Sequence, residues 1–388
     1  MSARFAVRGR LVFDGRLAPG AVVVDDGKVL EIQLGEAGAG SLPADVVDAS
    51  IVAPGFVDVQ VNGGYGFEAG DDPKAYHGLS AALPRTGVTA YLPTIVSSSA
   101  ELYPRVFRAF AEARAAAKET PAATALGLHF EGPFLAPERK GAHRLDAIEA
   151  APPALIDAWL ANDDLKVVTL APERPGAHEQ IARLRAGGVV VSLGHTNATY
   201  EQFLAGIDAG ASMVTHLFCA MSAFHHRRPG APGAALTDDR VVVGLIFDGI
   251  HTHAASVRLS VKAKGVEGTL LVTDMIAGAG LGPGEYELGG QKIRVDSDSA
   301  RLLDGTLAGS ILTMDEAVRN CVSQAGTSIV DACRMASEVP ARLLGIENKG
   351  RLAPGSDADL VLLDEDLRVA ATYVGGERAF AAPASDRT

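Results

Sequence analysis

Apolar runs recur through the middle of the chain at roughly thirty-residue intervals. They are FVDVQ from Phe56, TAYLPT from Thr89, ALGLHFEG from Ala125, KVVTLAPE from Lys166, VVVSLGH from Val189, SMVTHLF from Ser212, VVGLIFDG from Val242 and TLLVTD from Thr269. Their hydrophobicity is continuous rather than alternating, as expected for parallel strands covered on both faces. Between most of them lie Ala-, Leu- and Arg-rich stretches such as LYPRVFRAFAEARAAAK and HEQIARLRAGG, which read as helices. Eight such units predict an α/β chain with a (β/α)8, TIM-like barrel; a doubly wound open sheet is the structural rival.

The two ends have a different texture. Short strands with turns (RFAVRG, LVFDG, AVVVDDGKVLEIQ, DVVDAS) open the chain, and GRLAPGSDADLVLLDEDLRVAATYVGGERAF closes it in the same style. DDG and VGGE are hairpin signals. These patterns predict a small β-sandwich built from residues 1–53 and 346–388, flanking a barrel over 54–345. After the eighth run, EYELGGQKIRVDSDSARLLDGTLAGS reads as an inserted β-hairpin.

Composition narrows the picture. The chain has 388 residues, 47% of them hydrophobic, with 43 glycines and a net charge of -12. An acidic chain without a basic stripe is not built to bind nucleic acid, and an anionic ligand would need a local cationic patch. The opening residues lack the apolar segment of a signal peptide, and no unbroken run is long enough to cross a membrane. Cys219, Cys321 and Cys333 are scattered and odd in number, which suits reduced thiols in a cytoplasm.

Polar residues gather where the apolar runs stop. His129 and Glu131 end the third run, His195 the fifth, His216 the sixth, Asp248 with His251 the seventh, and Asp274 the eighth. A single ionisable residue at such a place commonly caps a loop. Five of the last six runs ending this way is a pattern, because a barrel sends all these ends to one face. One carboxylate and two imidazoles complete the protein half of an open catalytic zinc-type site.

In PGFVDVQVNG, HFEGPFLAPERKGAH, SLGHTNATY, THLFCAM, RRPG, FDGIHTH, LVTDM and GTLAGSILTM, spread over residues 54 to 314, the chain resembles the N-acetylglucosamine-6-phosphate deacetylases of the amidohydrolase superfamily. The resemblance implies one divalent metal ion per subunit (zinc first; iron, cobalt and manganese also fit) held by Glu131, His195 and His216, with His129 outside the ligand set. It implies Asp274 as the acid–base carboxylate and His143 as a donor to the acetyl carbonyl. Sugar contacts are implied at Ala142, Cys219, Ala220, Asp248, Gly249, Ile250, His251, Leu307, Ala308 and Gly309. His251 would also meet the phosphate. Arg227 would grip the phosphate of the neighbouring subunit's substrate, so a homodimer follows. The substrate is then an amino sugar phosphate, with no nucleic acid or membrane partner.

Four departures qualify the resemblance. Many amidohydrolases carry His-x-His at the end of the first strand and often a carboxylated lysine at the end of the fourth. Here the first positions are Gln60 and Asn62, and the only lysine of the fourth run, Lys166, stands at its beginning. Amides are poor ligands for transition metals, so one ion is expected rather than two. Cys219 stands where the family usually has asparagine, and Ser222 where proline is common; both leave the choice among N-acyl amino sugar phosphates open. A nucleophilic Cys219 is superfluous when a metal site activates water. GFEAGDDP and AGAGLGPGE lack the ending of a phosphate loop and read as turns, the second as a lid. The remaining rivals are another amidohydrolase, such as a cyclic-amide hydrolase, and a non-catalytic sugar-phosphate sensor. A sensor has no use for the acid–base carboxylate.

Overall fold

The computed structural model describes residues 4–35, 42–116, 120–149 and 154–383. Eight parallel strands stand where the apolar runs lie: Phe56–Val61, Val88–Val96, Leu128–Glu131, Leu165–Leu170, Val190–Leu193, Met213–Val214, Val242–Leu245 and Thr269–Leu271. Each pairs with the next in chain order. The ends of the row also meet. The Asp274 N–H donates to Gln60 O at 2.9 Å, the Asn62 N–H to Met275 O at 2.9 Å, and Val61 bridges Met275 in parallel. An open doubly wound sheet has no such seam, so the barrel reading holds.

Helices cover the outside because their apolar spacing fits one face. Over Tyr103–Ala115 the buried residues are Tyr103, Val106, Phe107, Ala109 and Phe110, spaced to form one stripe, and a proline in the first turn starts the helix. Positions 117 and 118 of the expected helix lie outside the described residues. The helix Tyr200–Ala209 opens on a capping box, in which Thr199 and Gln202 satisfy each other's backbone N–H groups. Val57, Val59 and Val61 of the first barrel strand join this apolar layer, while Asp58, Gln60 and Asn62 alternate with them. Burying each large apolar side chain contributes roughly 1.5–3 kcal/mol.

The termini build one hydrogen-bonded seven-stranded sheet. It consists of Phe5–Phe13, Arg16–Asp25, Lys28–Leu34 and Val46–Pro54 from the start, and Leu360–Leu363, Val369–Val374 and Glu377–Ala381 from the end. Leu360–Leu363 pairs antiparallel with Val46–Pro54, which joins the two halves. The second layer expected of a sandwich is this same sheet returning on itself. Phe5 and Tyr373 stack at 5.4 Å, and Gly27 O accepts the Ala358 N–H at 2.9 Å. The insert after the eighth strand has three strands rather than two, Gly284–Leu288, Gln291–Val295 and Ala300–Leu302. Among the described residues no helix is long and apolar enough to cross a membrane.

Candidate active site

The C-terminal ends of the barrel strands open into a cavity of about 440 Å³. At its floor Glu131, His195 and His216 converge, all buried. His216 Nε2 lies 3.0 Å from Glu131 Oε1 and 3.1 Å from His195 Nε2; His195 Nε2 lies 3.2 Å from the same oxygen. Ligand atoms about 2.0–2.1 Å from a tetrahedral ion stand about 3.3 Å apart, so the triangle has the size of three ligands to one ion. Its chemistry, one carboxylate oxygen and two imidazole nitrogens, fits a borderline divalent metal.

Local geometry turns these side chains inward. His195, His216 and Asp274 all adopt left-handed backbone conformations (φ 47°, 28° and 51°), uncommon for residues with a Cβ and recurrent at functional sites. His195 Nδ1 donates to Arg139 O at 2.8 Å, which leaves Nε2 as the ring nitrogen able to bind a metal ion. The loop after His195 is anchored by Glu173, whose carboxylate accepts from Thr196 Oγ1 and the Asn197 N–H. Gly141, with φ 54°, permits the approach of the third loop, since a Cβ there would stand 3.1 Å from the His195 ring. Burial opposes the Glu131 charge, but the bonded His195 and His216 rings outweigh it and hold Glu131 well below the ordinary carboxylate range.

His143 reaches the same floor from the loop after the third strand, with Nε2 3.7 Å from Glu131 Oε2. Its Nδ1 accepts the Ser97 backbone N–H at 3.1 Å. A backbone N–H can only donate, so the ring proton sits on Nε2 and faces the cavity. Burial, then the charge of His195, pushes His143 down to about 3, so the ring is neutral. Asp274 is 7% exposed, and burial followed by the Glu131 charge pushes its carboxyl up. The strand-one amides meet it. Gln60 Nε2 donates to Glu131 Oε1 at 3.0 Å and to Asp274 Oδ1 at 3.1 Å, and Asn62 Nδ2 donates to that Oδ1 at 2.5 Å. His129 is engaged elsewhere, Nδ1 with Val59 O at 2.9 Å and Nε2 with Thr169 Oγ1 at 2.8 Å, which keeps it out of the ligand set.

Three side chains able to hold a metal ion, an adjoining carboxylate and a neutral imidazole thus stand together at a barrel mouth, and the amidohydrolase family model matches residues 51–381. The chain belongs to the amidohydrolase family. Within that family it is 39% identical over 353 residues to an N-acetylglucosamine-6-phosphate deacetylase of Bacillus subtilis, covering 89% of this chain and 87% of the relative. It is 37% identical over 336 residues to an N-acetylgalactosamine-6-phosphate deacetylase of Escherichia coli O157:H7, covering 86% and 88%. A solved Mycobacterium smegmatis N-acetyl-D-glucosamine-6-phosphate deacetylase variant, in complex with N-acetyl-D-glucosamine-6-phosphate, superposes with a TM-score of 0.91 at 34% identity, covering 98% of this chain and all of that one.

The other amidohydrolase positions expected from the sequence divide into two groups. Ala142, Cys219, Ala220, His251, Leu307 and Gly309 line the cavity with the metal triangle, His143 and Asp274. Gly309 (φ 59°) is required there, because a Cβ would stand 2.8 Å from Asp274 O. Ala308 is fully buried behind this wall. Asp248, Gly249 and Ile250 form the turn before His251 and do not line the cavity. Asp248 Oδ2 pairs with His251 Nδ1 at 2.6 Å, and its Oδ1 accepts the N–H groups of Ile250 and His251. Asp248 therefore orients His251. Cys219 Sγ stands 3.7 Å from His251 O, and burial, then Asp274 and Asp248, pushes its thiol up to about 12. Such a thiol stays protonated and is no nucleophile. Arg227 is exposed and lies outside this cavity, beside His226. Sequence reasoning missed Ser97, Arg139 and Leu288. Ser97 meets His143 Nδ1 through both its N–H and its hydroxyl, Arg139 acts through its carbonyl, and Leu288 is an ordinary apolar residue of the insert, so none carries a signal of its own.

Proposed function

We propose that this chain hydrolyses the acetamide of N-acetyl-D-glucosamine 6-phosphate to the free amine and acetate. The observation that carries the reading is the Glu131–His195–His216 triangle facing Asp274 and the Nε2–H of His143 across one cavity. The likeness to the Bacillus subtilis and Mycobacterium smegmatis deacetylases supports the substrate.

A divalent ion bound by Glu131, His195 and His216, zinc in our reading and one per subunit, supplies positive charge that acidifies water and polarises a carbonyl. His143 donates its Nε2–H to the acetyl oxygen as charge develops there. Asp274 takes a proton from the attacking water and delivers it to the nitrogen as the C–N bond breaks, because an amine leaves poorly without it. Ala142, Cys219, Ala220, Leu307 and Gly309 shape the sugar end, and His251, set by Asp248, meets the 6-phosphate. Arg227, exposed in its own chain, reaches the phosphate of a partner's substrate in a homodimer. The three free thiols support a cytoplasmic setting.

Acetate release from N-acetyl-D-glucosamine 6-phosphate tests this directly. Turnover is expected with one equivalent of zinc and should be lost on chelation and restored by the metal. Full activity in the metal-free protein would overturn the reading. The galacto epimer is a second reading, supported by the Escherichia coli relative; the kcat/KM ratio of the two epimers decides between them.

A further inference from the structure

The first barrel strand presents Asp58, Gln60 and Asn62 at alternate positions, each 2% exposed or less. All three face the last strand across the seam where the barrel closes. Asp58 accepts from Thr273 Oγ1 at 2.5 Å, and Gln60 and Asn62 both donate to Asp274. The two amide bonds land on the same oxygen, Oδ1. Among the described residues no hydrogen bond engages Oδ2. Flipping either amide would turn a carbonyl oxygen against carboxylate, so the donor orientation is the one the charges select. This arrangement leaves Gln60 Oε1 and Asn62 Oδ1 buried without partners. Burying half an amide unsatisfied is costly, so stability alone does not account for the pair.

An oxygen that accepts two N–H bonds is less basic than its free twin. We propose that Gln60 and Asn62 are positioning residues that differentiate the two oxygens of Asp274: the amides hold Oδ1, and Oδ2 is the atom that carries the proton from water to the leaving nitrogen. The inference rests on the acid–base role given to Asp274 above. It explains why amides occupy the seam: Gln60 donates to both neighbouring carboxylates, Glu131 and Asp274, and Asn62 donates to Asp274. Gln60 sets their separation and Asn62 sets the rotation of Asp274.

The test is Asn62→Leu, which keeps the shape and removes the donor, assayed with N-acetyl-D-glucosamine 6-phosphate on zinc-loaded protein. Loss of carboxylate alignment at a proton-transfer step predicts kcat lower by roughly 30- to 100-fold, with KM within about threefold. Zinc per chain should equal that of the wild type, and the solvent isotope effect on kcat should rise. Gln60→Met, equally long and without a donor, should lose about tenfold, since Asn62 still holds Oδ1; it also serves if the leucine variant does not fold. A kcat within threefold of wild type, or parallel loss of zinc and activity, overturns the inference. Asp274→Asn separates the levels. If it abolishes turnover while Asn62→Leu is neutral, only this inference falls; if the wild type does not turn over this substrate, the functional reading falls with it.

Discussion

The two ends of the cavity are built on opposite plans. At the metal end, Glu131, His195, His216, His143 and Asp274 are all buried, and all but His216, whose Nδ1 has no partner among the described residues, are held by a partner from another strand or loop of the same chain. At the other end the cationic loop from His225 to Arg228 is largely exposed, and the hydrogen bonds of Arg227 among the described residues stay within that loop, to His225 and His226. From that side His251, clamped by Asp248, brings an imidazole into the cavity. Charge separation during amide cleavage needs groups fixed before the reaction, and a low-dielectric floor makes each worth more. A phosphate already carries its charge and needs only a cation within reach, which a surface loop or a second chain can supply. The groups proposed for the chemistry are thus all fixed within one chain, whereas the proposed phosphate anchor Arg227 stands exposed outside the cavity.

The largest effect expected on the metal side is that of Asp274→Asn. The amide keeps the shape and still meets Gln60 and Asn62, but it cannot accept the proton from water. Turnover should fall by at least about a thousandfold, with zinc content unchanged, because Asp274 is not one of the three converging ligands. Metal analysis beside steady-state rates checks both halves. Retention of near-wild-type kcat would remove the acid–base role and dissolve the contrast between the two ends.

Arg227→Ala probes the other end and should be gentler. Loss of one charge-assisted contact predicts KM for the phosphorylated sugar higher by about 10- to 100-fold, with kcat little changed. KM for unphosphorylated N-acetylglucosamine should stay within about threefold. Mixing sharpens the comparison. If Arg227 serves the partner's site, subunits carrying Asp274→Asn and Arg227→Ala should form mixed pairs with one intact site, and activity at low substrate should recover above either parent. No recovery in pairs shown by mass to be mixed would return Arg227 to a solvated loop.

The same contrast explains which features were legible in the sequence. Continuous apolar runs reveal buried parallel strands, and a barrel carries their ends to one face, so Glu131, His195, His216 and Asp274 are legible there beside His129, Asp248 and His251, and the resemblance singles them out. His143 and Arg227 sit in loops where nothing local distinguishes them, and they came from the resemblance. What Gln60 and Asn62 do was not legible, because their bonds cross the barrel to Glu131 and Asp274, 71 and more than 200 positions away. Ser97 meets His143 through a backbone N–H, which every residue but proline has, and through one of the chain's many hydroxyls. The terminal strands were readable singly, but their union in one coiled sheet depends on the pairing of Leu360–Leu363 with Val46–Pro54. The third strand of the insert is only three residues long, too short to show a period.

The smallest predicted effect concerns stability beneath the metal end. Asp58 is fully buried, with Thr273 and Gln60 donating to its carboxyl, and burial pushes it up from the ordinary 3.8 to about 7. A carboxyl raised on folding binds its proton more tightly in the native state. Its contribution is therefore complete below about pH 4, declines as pH rises, and is gone above about pH 7. Each pH unit in that window is worth about 1.4 kcal/mol. Asn at this position is neutral throughout; its oxygen can accept the Gln60 N–H while its amide donates to Thr273 Oγ1. Relative to wild type, Asp58→Asn should gain on the order of 2–3 kcal/mol between pH 5 and pH 8, read from denaturant midpoints at each pH. Arg227→Ala, on the exposed loop, should move by less than about 0.5 kcal/mol at either pH. If the two variants traced the same flat line, burial would not be what distinguishes the floor of this site from its rim.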